Sequence, residues 1–139
     1  MAGFLYSQLR RRYSFVVTNF VIGSICSVWH WPIIVHTRFL YAGVPFLFTL
    51  PMFTLALWGK AFVFGAMRER TGSVWPAVTC HAFLNYFSFV LVEPFLQPTE
   101  PWRMYFTTDT AGVFSALALV IAGAVAARFS LSGRSDMQR

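Results

Sequence analysis

The sequence predicts an all-α integral membrane protein with about four transmembrane helices. Three observations carry this. Apolar residues make up 57% of the 139 residues and charged residues only 12%, where a soluble domain carries about a quarter charged residues. Mean hydropathy is +0.58. The apolar residues gather into four runs, at 14–35, 39–59 (or to 67 if Lys60 snorkels), 74–95 and 110–127. Each is about the 17–25 residues a helix needs to cross a bilayer.

In chain order, residues 1–13 form a short basic amphipathic segment that Arg10, Arg11 and Arg12 close. The first apolar run places Asn19, Gly23, Ser27 and His30 on one narrow arc of a helix, at about 100° per residue. The second contains Pro45 and Pro51, which predict a bend. A charged loop then ends in Thr71-Gly72-Ser73. Ser73 suits an N-cap, and Pro76 is tolerated in the first turn, where amides have no helical partner. His81 and Asn85 follow at i and i+4, with Ser88 on the same face. Three prolines mark 93–109 as a surface loop. In the fourth run Ala111, Ser115, Ala118, Ala122 and Ala126 form a small-residue stripe, which predicts close packing against another helix. Residues 130–139 read as a disordered tail.

The formal net charge is +6. Because the basic residues lie between apolar runs, they point to topology and anionic lipid headgroups rather than to nucleic acid. Arg10, Arg11, Arg12, Lys60, Arg68, Arg70, Arg128, Arg134 and Arg139 fall on one side, against Arg38 and Arg103 on the other. The positive-inside rule then places both termini in the cytoplasm. Cys26 and Cys80 lie within apolar runs, where free buried thiols are the default.

Polar groups in a hydrocarbon setting need a partner or a task, because an unpaired one costs several kcal/mol. His36 lies just past its apolar run and suits the membrane interface. His30, between Trp29 and Trp31, suits either an interfacial residue or a functional one. His81 with Asn85 points to a site. Histidine can hold or move a proton near neutral pH, and an asparagine amide can donate to a developing oxyanion. Two histidines and an asparagine lack a strong base. They also fall short of a zinc ligand set and of the HExxH glutamate, so no metal or cofactor is expected. Cys80 diverges from His81 by about 100° on the helix and makes no nucleophile–base pair.

The stretch TGSVWPAVTCHAFLN resembles the third signature block of the CAAX-protease and bacteriocin-processing (CPBP) family of intramembrane endopeptidases, which ends in HxxxN, here His81 and Asn85. SICSVWHWPIIV is similar to the second block, FxxxH followed by proline. His30 matches its histidine, and Cys26 stands at the phenylalanine. GFLYSQLRRRYS resembles the segment that follows the first block, EExxxR. The resemblance covers 3–85. It implies the C-terminal half of a larger helical bundle, in which a first-block glutamate and His30 activate water while His81 and Asn85 stabilise the oxyanion. It implies a peptide or membrane-protein substrate, a lipid bilayer setting, and a bacterial plasma membrane location.

None of the five acidic residues, Glu69, Glu93, Glu100, Asp109 and Asp136, stands in an EExxxR context. The chain is therefore expected to be an N-terminally truncated or incomplete form without activity of its own. Two other readings stand beside this one: a non-catalytic membrane protein that binds peptides or confers bacteriocin immunity, and a small transporter. A geometric tension also follows. Counted from residue 14, His30 lies about 24 Å along its helix, and His81 only about 10 Å from residue 74 at ~1.5 Å per residue. For the two to meet, the first helix must tilt or start later, near 17–19.

Overall fold

The computed structural model describes residues 3–37, 44–92, 104–107 and 112–136. They form α1 (Phe4–Arg10), α2 (Phe15–Thr37), α3 (Phe46–Thr71), α4 (Trp75–Tyr86), a π-helical segment (Phe87–Val92), α5 (Met104–Thr107) and α6 (Val113–Asp136). Every regular element among the described residues is helical, as a chain without water to satisfy its backbone requires. Three helical stretches, Phe15–His36, Phe46–Thr71 and Val113–Ser130, are long and apolar enough to cross a membrane.

The sequence counts about four spanning helices, and among the described residues the structure places about three uninterrupted ones. The difference lies at 74–95. There α4 ends after 12 residues and gives way to the π-helical FSFVLV. Aromatic and β-branched residues hold an α-helix less well than Ala or Leu. Ser88 lies in this segment, whose turn is wider than the α-helical period that places it on the face of His81.

Helix ends follow local chemistry. Ser14 Oγ accepts the Val17 amide at the start of α2, three residues on, as an N-cap does. Pro45 is the N-cap of α3 and lies outside it, so of the two prolines only Pro51 falls within the helix. Gly72, at φ +66°, closes α3 with its amide donating to Arg68 O at 2.9 Å, the left-handed ending that glycine permits. Val74 is the N-cap of α4. Ser73 sits one residue earlier and accepts the Trp75 amide at 3.3 Å.

α3 is the axis of the bundle and packs against α2, α4 and α6. Against α6 the helices meet backbone to backbone. A Cβ on Gly59 would collide with the carbonyl of Leu119, and one on Gly123 would lie 2.8 Å from Gly59 O. The contact face of α6 therefore runs through the buried Ala116 and Gly123. Ala118 and Ala122 of the expected stripe are exposed, and Ala111 lies outside the described residues. Against α2, Phe20 packs edge-on to Trp58 and Phe62, each at 5.2 Å. The Trp58 indole N–H donates to Ser24 Oγ at 3.1 Å.

Polarity is reversed relative to a soluble domain. The largest fully buried side chains are Asn19, Thr18, Thr49 and Ser27, while Phe83, Ile121 and Phe129 are exposed. Hydrocarbon outside and polar groups within is the arrangement a bilayer favours.

Both described ends of the chain meet the same end of α3. Arg70 lies over the Phe129 ring at 5.7 Å, and Arg10 Nε pairs with Glu69 Oε1 at 2.7 Å. At the opposite end Phe48 packs on Tyr105 at 4.9 Å. Trp75, just past the Arg70 end, and Tyr105, at the Phe48 end, therefore lie towards opposite ends of α3.

α1 is held across the Arg70 end by a polar cluster. The Tyr6 hydroxyl lies 3.1 Å from Glu69 Oε1 and 3.3 Å from Gly65 O. Arg68 Nη2 donates to Ser7 Oγ at 2.8 Å. Burial first, and then the Glu69 carboxylate, push the Tyr6 phenol well above its ordinary 10.0. Because its folded value is raised, the stability Tyr6 contributes is present in full below pH 10 and is lost as pH rises beyond it. The expected result is a melting temperature that falls above pH 10 in the native chain and falls less steeply in Tyr6→Phe. Equal slopes in the two proteins would show that Tyr6 ionises alike in both states.

Candidate active site

His30 lies 15 residues into α2. Its Nδ1 is 2.7 Å from the Cys26 carbonyl, one turn back. A carbonyl oxygen only accepts, so Nδ1 carries the proton and the lone pair resides on Nε2. The ring is tilted against Phe53 at 5.3 Å, which fixes its plane. The result is an oriented imidazole with its basic nitrogen turned away from its own backbone contact.

His81 and Asn85 sit one turn apart on α4. Asn85 Nδ2 donates to His81 Nε2 at 3.3 Å. That assigns the His81 proton to Nδ1 and leaves Asn85 a second amide N–H, so the pair retains two donors. The His81 ring stands edge-on to Phe64 at 5.6 Å.

One cavity of about 360 Å³ brings the two histidines together. His30 and His81 both line it, from α2 and α4, with α3 as the opposite wall and Tyr6 of α1 at one side. Asn85 is not one of its lining residues and is tied to the site by its hydrogen bond to His81. α2 begins at Phe15, so a later start does not reconcile the two histidines. The cavity itself does: it runs along α2 from Asn19 to His30, eleven residues or about 16 Å. His81 opens onto the same space and lies near enough to His30 and Lys60 to interact with them electrostatically.

The cavity has polar members that sequence reasoning did not assign to it. From the sequence, Lys60 can snorkel if its helix continues to residue 67. With α3 running Phe46–Thr71, Lys60 is 14 residues in, or about 21 Å, and lines the cavity. The apolar run alone does not fix that depth; with α3 continuing to Thr71, an ionisable residue that far inside a membrane helix is functional by default. Arg68 and Asn19 line the cavity as well.

No carboxylate lines the cavity among the described residues. Glu69 is held by Tyr6 and by Arg10, whose guanidinium is pushed still higher, mainly by its hydrogen bond to Glu69. Glu69 is thus committed to the α1–α3 contact. Glu93 lies outside the described residues.

Fold and cavity together define a helical membrane protein with an open cavity between its helices that two histidines line. The family model for the type II CAAX prenyl endopeptidase Rce1-like proteins matches residues 1–87, and the chain belongs to that family. The matched span includes His30, His81 and Asn85. No curated protein matches the chain, and no solved structure does. At the level of the family this is a CAAX-protease-like membrane endopeptidase, integral to the lipid bilayer.

Proposed function

We propose that this chain supplies the histidine and asparagine half of an intramembrane endopeptidase site that hydrolyses a peptide bond of a membrane-associated substrate. The observation that carries the reading is the single cavity shared by His30 and His81. His30 Nε2 takes a proton from the attacking water. His81 and Asn85 donate hydrogen bonds to the oxyanion of the tetrahedral intermediate, where preorganised donors act most strongly. A carboxylate must complete the base, because an imidazole alone leaves the water poorly activated. In this reading it comes from a Glu-Glu pair of the EExxxR kind, joined ahead of Gly3 or held by a second chain.

The test is to fuse a helical segment ending in Glu-Glu-x-x-x-Arg to Gly3, reconstitute the protein in liposomes, and follow release of the C-terminal peptide from a prenylated substrate by mass spectrometry. Cleavage is expected from the completed chain and only background from the 139 residues alone. Failure of the completed chain to cleave, or cleavage retained after His81→Ala, overturns the mechanism.

The cavity without a carboxylate among the described residues also favours a second reading, a peptide-binding protein without catalysis. It predicts peptide binding that survives His30→Ala and His81→Ala together. For orientation we propose a cytoplasmic Arg70 end, carrying both termini in a bacterial plasma membrane. Labelling of an introduced Ser135→Cys by an impermeant thiol reagent from the cytoplasmic side alone is the expected result.

A further inference from the structure

α1 has two faces, and the bundle uses one of them. Tyr6 is buried with its hydroxyl 3.1 Å from Glu69 Oε1, and Arg10 pairs with the same carboxylate at 2.7 Å. Ser7 Oγ accepts from Arg68 at 2.8 Å. These residues turn towards α3. The other face carries Phe4, Gln8, Arg11 and Arg12, all exposed. Phe4, Gln8 and Arg11 stand at i, i+4 and i+7, within an arc of about 60° on a helix. Arg11 keeps helical torsions at the C-cap, φ −71° and ψ −25°. Phe4 is 78% exposed, more than any other large apolar side chain among the described residues.

Position along the bundle fixes what surrounds this face. α3 has 26 residues, about 39 Å at ~1.5 Å per residue, and so exceeds a hydrocarbon core of about 30 Å. Between Phe46 and Gly59 it carries no charge, while Arg68, Glu69 and Arg70 close it. The Arg70 end is therefore the one that reaches the headgroup layer. α1 is fastened to that end through Glu69 and Arg68, so its outer face lies at the same level. Water suits two guanidinium groups but not Phe4, and hydrocarbon suits Phe4 but not the guanidinium groups. The boundary between the two suits both. Tyr13, 51% exposed, adds an aromatic ring with a polar tip at the same place. Glu69 is held on the inner face, which leaves the outer face positive.

We propose that the outer face of α1 docks on anionic phospholipid, with Arg11 and Arg12 on the headgroup phosphate and Phe4 at the top of the acyl chains. Phosphatidylglycerol offers that phosphate with its negative charge uncompensated. Phosphatidylcholine offers the same phosphate beside a choline cation, so charge complementarity separates the two. The contact lies outside the cavity and does not depend on the endopeptidase reading. Gly3 and Tyr6 of the same helix line the cavity, so the docked helix is also one of its walls.

The test is native mass spectrometry of the full chain released from detergent micelles, titrated with phosphatidylglycerol or with phosphatidylcholine of the same acyl chains. The first phosphatidylglycerol is expected to bind on the order of tenfold more tightly, given about fivefold for each basic residue near an anionic surface. Arg11→Gln with Arg12→Gln should remove most of the preference. Arg70→Gln with Arg128→Gln takes the same charge from other exposed positions and should keep it. Phe4→Ser should weaken phosphatidylglycerol binding severalfold with the preference retained. The comparison of the two lipids needs no variant, so a misfolded mutant does not decide it. Equal affinity for the two lipids overturns the proposal. So does a preference that survives Arg11→Gln with Arg12→Gln, or one that is lost in Arg70→Gln with Arg128→Gln. A hexaglutamate peptide that binds through Arg11 and Arg12 more tightly than phosphatidylglycerol would assign the face to an acidic protein segment, and the lipid proposal falls.

Discussion

Replacing His30 with alanine in the glutamate-completed chain is expected to lower peptide cleavage by about 10²–10⁴-fold, the contribution of a positioned general base. The size of the effect follows from how the ring is held. The Cys26 carbonyl binds Nδ1–H and Phe53 fixes the plane, so the lone pair on Nε2 has one direction. His30→Asn can keep a donor to Cys26 O but places no basic nitrogen beyond it, so it is expected to be as inactive as alanine. His81→Ala and Asn85→Ala should each cost about 10²–10³-fold, as loss of an oxyanion donor does. Combining either with His30→Ala should cost far less than the product of the two, because the groups act in one transition state. Helical content by circular dichroism serves as the folding control. A loss of less than about tenfold for His30→Ala and His30→Asn alike would make His30 a packing residue.

The site was legible in the sequence where chemistry and spacing coincide. His81 and Asn85 at i and i+4 on an apolar helix stand out because an apolar setting penalises both, and the helical period fixes their relation. The stripe from Asn19 to His30 stood out for the same reason. What the sequence did not reveal depends on how helices are offset. The depth of Lys60 depended on where α3 ends, and that is set by Gly72 in the left-handed conformation rather than by the apolar run. The unpaired Oδ1 of Asn19 depends on Gly65 lying opposite, a relation between two helices with no trace in either alone. The count of spanning helices turned on a π-helical stretch, which hydropathy does not distinguish from an α-helical one. The small-residue stripe of α6 misplaced the packing face because alanine and serine were counted and glycine was not. Alanine tolerates both lipid and a neighbour, whereas Gly59 and Gly123 are where backbones meet.

That last difference gives the prediction with the largest effect on stability. Gly59→Leu is expected to prevent assembly of the native bundle. A Cβ at this position would overlap the Leu119 carbonyl and lie 2.8 Å from Val120 N. Both are backbone atoms of α6, which no rotamer change can move aside, and leucine adds three further carbons to the overlap that alanine makes with its Cβ alone. Even Gly59→Ala should destabilise, because overpacking costs about 1–3 kcal/mol against the gain of ~1 kcal/mol in helix propensity. The melting temperature of the alanine variant in detergent should fall by on the order of 5 °C, while the leucine variant should show no cooperative transition. Gly123→Leu should behave like Gly59→Leu, since its Cβ would press on Gly59 O at 2.8 Å. Ala118→Leu, on the exposed side of α6, should melt within about a degree of the native protein, because an added apolar side chain there meets only lipid or detergent. Severe loss in Ala118→Leu with tolerance of Gly123→Leu would turn α6 by about 140°, five positions at ~100° each, and return the packing face to the alanine stripe.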